Sequence, residues 1–205
     1  GAASSKGAFI EENGVVVVEL ESTDYSGHWQ IKSDTSASGG KAIVWVGDDL
    51  FNETAVDIIN VAIKITNPGT YRFDWATQIG EGNKTTEAND SWLKIESDNF
   101  YGFNGVTTVC PKGQVSSENS CVGELPEGSG KLGWFKTYRA GGDVAQFTWS
   151  TNTSDRDPHL IYADFNQAGI YSVKISGRSK HHVIDRFIMT NDPATHEAAK
   201  NYDES

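Results

Sequence analysis

The chain is poor in cysteine, methionine, proline and positive charge. Among 205 residues there are two cysteines, one methionine and five prolines, and 17 Lys and Arg stand against 28 Asp and Glu, a formal net charge of -11. That deficit leaves no basic stripe to meet phosphates, so neither nucleic acid nor an anionic membrane is an expected partner. No run approaches the roughly 20 apolar residues that a membrane span requires. Helical periodicity is nearly absent before residue 192, which excludes amphipathic helices as the building unit. The Cys-x-x-Cys, His-x-His and His-Glu-x-x-His spacings are missing, and with them the usual zinc and redox sites. No Gly-x-Ser-x-Gly elbow marks a serine nucleophile.

What the chain does have is strand and turn. Hydrophobic residues at 37%, aromatics at 11% and 21 glycines supply a core and frequent turns for one all-β domain of this length. Alternation and β-branched runs predict strands over 15–21, 42–46, 57–65, 70–77, 91–97, 144–150, 159–163, 170–176 and 182–190. Many short strands without intervening helices predict a sandwich or barrel. Residues 98–133 read as a strand-poor insertion. Residues 8–191 form the expected domain, flanked by a linker or processing remnant over 1–7 and a polar tail over 192–205 that is a linker or a short frayed helix. Cys110 and Cys121 bracket ten loop-type residues. They predict a disulfide worth about 2–3 kcal/mol and a secreted, oxidising setting.

Two segments echo each other: Asn67-Pro-Gly-Thr-Tyr-Arg-Phe-Asp-Trp75 and Gln167-Ala-Gly-Ile-Tyr-Ser-Val-Lys-Ile175. Each is a turn, then Gly-x-Tyr, then an alternating strand. With both turns at one end, parity sends the loops 47–56, 78–90, 151–158 and 177–181 to the opposite end and 22–40 away from them. That collects Asp48, Asp49, Lys84, Asn89, Asp90, Arg178 and Ser179 on one rim. Tyr71, Phe73 and Trp75 form a core stripe. Trp45 precedes a rim loop and suits either core or platform, and Trp92 is out of phase with Leu93 and Ile95. A sugar ring shows C–H groups on one side and hydroxyls around its edge, which an exposed indole beside Asn, Asp and Arg matches. Trp45, Asp48, Asn89, Asp90, Trp92 and Arg178 are therefore the candidate ligand-binding set.

A second cluster is acidic. Glu19 and Glu21 fall on one face of the predicted first strand by its two-residue period, and Asp185 sits inside the apolar last strand, expected beside the first. Carboxylates in such strands must be paired, protonated or bound to a cation. Calcium, which takes oxygen ligands, is the natural occupant, with the Gly39-Gly40 turn lending carbonyls, that of Lys41 included. Two readings stay open beside it: ion pairing, with Arg186 as one partner, and a catalytic pair of the kind glycoside hydrolysis uses.

Taken in order, Glu-Asn-Gly-Val-Val-Val-Val-Glu-Leu-Glu, Trp-Val-Gly-Asp-Asp, Pro-Gly-Thr-Tyr-Arg-Phe-Asp-Trp, Asn-Asp-Ser-Trp and Gly-Arg-Ser-Lys-His-His-Val-Ile-Asp-Arg resemble the galactose-binding-domain-like modules. The likeness is to the non-catalytic carbohydrate-binding modules of families six and thirty-five and their malectin-like relatives, over roughly residues 8–191. The resemblance implies a jelly-roll β-sandwich with a structural Ca2+ on Glu19, Glu21 and Asp185, and sugar binding on the loop rim or, in some relatives, on a concave face. The function it implies is that of a secreted, monomeric module holding a polysaccharide of algal or plant cell-wall type near an appended hydrolase or lyase. The insertion around Cys110 and Cys121 departs from the short versions of the pattern. Two rivals come from other classes: a jelly-roll polysaccharide lyase with Tyr162 and His159 as acid–base pair, and an adhesion module with a protein ligand.

Overall fold

In a computed structural model, which describes residues 7–113 and 127–205, two β-sheets enclose a single large apolar core. One sheet runs, in spatial order, Phe9–Ile10, Ile59–Ile65, Gly169–Ser176, Asp90–Ile95, Trp134–Tyr138 and Gly130–Lys131. The other is centred on Gly69–Ile79 and His182–Thr190. It is flanked by Leu160–Phe165, Asn99–Phe103 and Thr108–Pro111 on one side, and by Lys41–Trp45 and Trp29–Ser33 on the other. The fold is the all-β sandwich that the strand pattern predicts. Tyr71, Phe73 and Trp75 are at most 1% exposed and sit in the core as expected.

The echo is structural as well. The Tyr71 hydroxyl donates to the Asn67 carbonyl at 2.7 Å, and the Tyr171 hydroxyl donates to the Gln167 carbonyl at 2.7 Å. Each tyrosine pins its own turn in the same way, one in each sheet.

All nine residues of His182–Thr190 are buried. The valine run explains half of this: Val15–Glu19 pairs with it antiparallel, Glu19 opposite Arg186, so the first long strand lies beside the last. A bulge between Ile184 and Phe187 inserts an extra residue opposite Gly69–Ile79. Ile184, Phe187 and Met189 can then all face the core, although strict alternation would set 184 and 187 on opposite sides.

Several expectations are corrected. The first strand stops at Glu19; Leu20–Ser22 is a 3-10 turn, so Glu21 reaches its neighbours from a turn and not from a strand face. Trp29–Ser33 is a strand inside the stretch 22–40, which was expected to be loop. Asn99–Phe103, Thr108–Pro111 and Trp134–Tyr138 lie in or beside the supposedly strand-poor insertion. These strands are short, and sheet partners such as Asp90–Ile95 stabilise what local pattern does not reveal. The predicted strand 144–150 contracts to Thr148–Trp149. Cys110 is buried; Cys121, and with it the expected disulfide, lies outside the described residues.

The segment 192–205, expected as a linker or a short frayed helix, is held against the sandwich. It carries the short helix His196–Ala199 and crosses the outer face of the larger sheet. His196 bridges Thr190 Oγ1 at 2.6 Å and Asp74 Oδ2 at 2.9 Å. Ser205 exchanges hydrogen bonds with Val17 at 2.8 and 2.9 Å.

At the opposite edge, one fully buried carboxylate ties the N-terminal strand to the turn before Gly69–Ile79. Glu11 accepts hydrogen bonds from the backbone of Gly14, Thr66 and Asn67 and from the side chains of Thr66, Asn67 and Tyr71, at 2.6–3.1 Å. Burial alone would raise its pKa, but these donors outweigh it and hold the carboxyl at about 2. A lowered pKa gives stability that is complete above the unfolded carboxylate range near 4.3 and is lost as pH falls toward 2. Glu11→Gln should lower unfolding free energy by about 3 kcal/mol in denaturant titrations at pH 7, with the gap from wild type closing below about pH 4.

Candidate functional site

The four loops predicted to converge do so. A cleft of about 1160 Å3 is lined by residues from 47–56, 78–90, 151–158 and 177–181, with Lys136 and Tyr138 of Trp134–Tyr138 forming one wall. The loops are stitched together by hydrogen bonds from their backbone N–H groups. Leu50 N donates to Arg178 O at 2.7 Å, Ser179 N to Asp90 O at 3.2 Å, and Lys180 N to Asp49 Oδ1 at 2.9 Å. Beneath them Arg139, 1% exposed, donates to the carbonyls of Thr77, Gly141 and Gln146, and its own peptide pairs with Asn89. That buried guanidinium fixes the loop 140–147 against the cleft floor.

The floor is made by Asp90 and Arg178. Asp90 Oδ2 accepts from Arg178 at 2.6 Å and its Oδ1 from Ser179 Oγ at 2.5 Å, so both oxygens are committed within the protein. The Arg178 guanidinium carbon lies 4.9 Å from the ring centroids of both Phe51 and Trp92. Phe51 is 50% exposed and forms the open aromatic surface of the cleft. Tyr138 donates its hydroxyl to Ser154 O at 2.8 Å. Burial, with Asp155 and Asp157 nearby, pushes its pKa up to about 12 and keeps it protonated.

Of the predicted set, Asn89, Asp90 and Arg178 line the cleft. Asn89 donates to Arg139 O at 3.0 Å. The two tryptophans are corrected. Trp45 is 1% exposed, donates its indole N–H to Asp48 O at 3.0 Å and packs edge-on against Trp29 at 5.2 Å. Gly177 lies so close over it that an added Cβ would fall 2.2 Å from the indole. Trp92 is 3% exposed, its N–H taken by Leu50 O at 3.0 Å and its ring beside Arg178. Trp45 therefore offers no open face, while Trp92 shows only a margin, which borders the small hollow beside the cleft. Asp48 is exposed and contributes its carbonyl to Trp45; its neighbour Asp49 lines the cleft instead. Lys84 pairs with Glu87 at 3.1 Å outside the lining. The residues missed were Phe51, an apolar side chain stranded in an otherwise polar loop, and Tyr138, in the unrecognised strand Trp134–Tyr138.

The acidic cluster is separate and shares no residue with the cleft. Glu19, Glu21 and Asp185 bring one oxygen each within 4.8 Å of one another. Arg186 donates to Glu19 Oε1 from Nε at 2.9 Å and also from its terminal nitrogen, and Ser38 Oγ adds a third donor at 2.7 Å. Ser38 N donates to Asp185 Oδ2 at 2.8 Å. This leaves Glu19 Oε2, Glu21 Oε2 and Asp185 Oδ1 buried with no hydrogen-bond partner among the described residues. Burial first, then mutual repulsion, raises the pKa of both Glu21 and Asp185 to about 7. Three orphaned, converging carboxylate oxygens are a donor set that suits a hard divalent cation. Ion pairing by Arg186 accounts for only one of the six oxygens' surroundings and leaves the cluster under-neutralised.

The acid–base pair of the lyase alternative is not assembled. His159 is fully buried, its ring nitrogens 2.5 Å from Asp157 O and 3.1 Å from Thr107 Oγ1. Tyr162 instead stacks on Tyr101 at 5.6 Å across the sheet surface.

No protein-family model matches the chain, and no curated protein matches it by sequence. Solved structures do. A GH26-CBM35 β-(1,4)-mannanase from Podospora anserina matches with a TM-score of 0.50 at 14% identity, over 88% of this chain and 28% of its own. A family 35 carbohydrate-binding module from Clostridium thermocellum matches with a TM-score of 0.45 at 16% identity, over 85% of this chain and 97% of its own. The chain thus spans little more than a quarter of the mannanase. At these identities the likeness is one of fold: two sheets, closed around one apolar core, that this chain shares with part of the mannanase.

Proposed function

We propose that the protein is a non-catalytic module that binds a polysaccharide in the cleft between the four loops, and that it serves to hold an appended hydrolase or lyase on that polymer outside the cell. The observation that carries this reading is the half-exposed Phe51 ring beside an Arg178–Asp90 pair in an open cleft. A pyranose lays its C–H face on such a ring, while Asn89, Asp49 and the loop backbone meet its hydroxyls. The Asp90 carboxylate is tied up in positioning Arg178, which is the opposite of what a hydrolytic acid or nucleophile needs. The sandwich shared with part of a mannanase that carries a binding module in its name supports the reading by analogy.

Ca2+ is the proposed occupant of Glu19, Glu21 and Asp185, with the Lys41 carbonyl, just beyond the Gly39-Gly40 turn, as a further ligand. Bound there it neutralises the buried acids and braces the first strand against the last. It takes no part in sugar contact.

Affinity electrophoresis against a panel of plant and algal polysaccharides tests the function, with free-sugar competition; a Kd of about 10–100 μM is expected for one open cleft, about -5.5 to -7 kcal/mol. Silence across the panel, or binding to protein that free sugar leaves untouched, would refute the reading. Phe51→Ala should weaken retention about 10-fold or more while leaving the melting temperature near wild type, because the ring is half in solvent.

The ion makes a separate prediction in pH. Glu21 and Asp185, raised to about 7, stabilise the metal-stripped fold fully below the unfolded carboxylate range near 4, and that contribution is lost as pH rises through about 7. In EDTA the melting temperature should fall between about pH 5 and 8, calcium should abolish the fall, and Asp185→Asn should shrink the calcium response. Chelation should lower melting temperature far more than room-temperature affinity, because cleft and cluster are apart.

A further inference from the structure

Beside the main cleft lies a smaller lobe of about 430 Å3, which shares Phe51, Lys136, Asp155 and Arg178 with it and adds, among others, Trp92, Lys112 and Ser129. The two hollows form one trench with Phe51 at the divide. Their charges differ. The main cleft mixes five acids with four Lys and Arg. The smaller lobe carries three cations, Lys112, Lys136 and Arg178, and a single acid, Asp155. This is the reverse of the chain as a whole, which stands at -11.

The lone acid is already engaged: Asp155 accepts from Lys136 Nζ at 2.7 Å, and its backbone is held by Ser129 Oγ at 2.7 Å. Arg178 gives one terminal nitrogen to Asp90, yet its Nε is buried with no hydrogen-bond partner among the described residues. Lys112 is exposed at the lobe's edge, and no acid among the described residues is seen to pair with it. Nε is itself shut off from solvent, so the groups an anion can reach are the Lys112 ammonium and the 11% of the Arg178 side chain that stays exposed. With Asp155 set against Lys136 and Asp90, from outside the lobe, against Arg178, one further negative charge would balance Lys112.

We infer that this lobe is a subsite for an anionic substituent of the polysaccharide, a carboxylate or a sulfate ester, carried by a sugar next to the one on Phe51. This rests on the carbohydrate reading and narrows it to acidic glycans. Both anions present planar or tripodal oxygens to guanidinium and ammonium donors, so the shared chemistry is an oxyanion. Because the lobe is open, its attraction is screened by salt.

The test pairs polymers of the same backbone with and without charge: polygalacturonate against its methyl ester, and carrageenan against desulfated carrageenan. Affinity electrophoresis and titration calorimetry on the full chain should show at least one charged polymer held about 10-fold more tightly than its neutral counterpart. That preference should shrink severalfold from 50 to 500 mM NaCl. Preference for polygalacturonate alone identifies a carboxylate and for carrageenan alone a sulfate; either supports the inference. Lys112→Gln, at an exposed position where folding can be checked by melting temperature, should cut the charged-to-neutral ratio about threefold. Retention of neutral and charged polymers alike, or a ratio that Lys112→Gln leaves untouched, overturns the anionic subsite while leaving carbohydrate binding intact. Retention of no polymer at all is a different result and removes the carbohydrate reading itself.

Discussion

The structure depends on a strand that is buried along its whole length and yet is not apolar. His182–Thr190 touches Val15–Glu19, Lys41–Trp45 and Gly69–Ile79, so each polar side chain on it must be answered inside the protein. His182 is answered at Nδ1 by Ser91 Oγ at 2.7 Å, while its Nε2 has no partner among the described residues; complete burial, with Arg139 nearby, pulls its pKa down to about 3, which keeps it neutral. Thr190 is answered by His196 from the C-terminal segment. Asp185 and Arg186 fall at the bulge, where the ladder is interrupted. Each solution recruits a different part of the chain, and together they assemble the molecule around one strand.

The bulge also separates the two sites. By shifting the register, it keeps Ile184 and Phe187 both in the core and leaves Asp185 and Arg186 to meet Glu19, Glu21 and Ser38. The residues just before the strand, Arg178–His181, reach the loop cleft instead. A ligand in the cleft and a cation at the acids would thus act on the approach to this strand and on its middle, without sharing a residue. The C-terminal segment reinforces the acidic cluster. Arg186 donates to Lys200 O at 2.9 Å, and Glu19 N donates to Glu204 at 2.7 Å, so the segment closes over a surface that would otherwise expose backbone and charge.

Much of this was legible in the sequence wherever a repeated local pattern carried the information. The Gly-x-Tyr echo gave the polarity of the sandwich, and parity then gave the four-loop convergence. The valine run and the late Val-Ile-Asp-Arg-Phe segment gave the pairing of first and last strands. What failed were judgements about which face of a residue sees solvent. Trp92 lies in Asp90–Ile95, where five of six residues are buried because loop 47–56 and Arg178 fold back over the outer side. Periodicity cannot register a cover made by a loop. Trp45 shares the core face with Ile43, the alternative its alternation left open, and Gly177 closes over it. The tail's short helix was among the expected readings, but its anchoring was not, because the attachment is largely polar: His196 to Asp74, Ser205 to Val17. Hydropathy reports apolar burial and is silent on hydrogen bonds.

The misplacement of the tryptophans changes how the cleft must work. Had Trp45 or Trp92 been an exposed platform, the site would present a large, unsupported indole. Instead both indoles are consumed as foundations: each N–H is satisfied by the carbonyl of a rim loop, Asp48 and Leu50 respectively, and the Trp92 ring lies beside the guanidinium that Asp90 holds in place. The exposed ring is the smaller Phe51, set against a cation that cannot swing away. Fixing these groups before a ligand arrives removes the ordering cost that a flexible side chain would add on binding. The same arrangement limits what the cleft can hold tightly, since most of its polar atoms already have partners and few remain for hydroxyls. Recognition then falls to the face of one ring and to the few donors still open to the cleft.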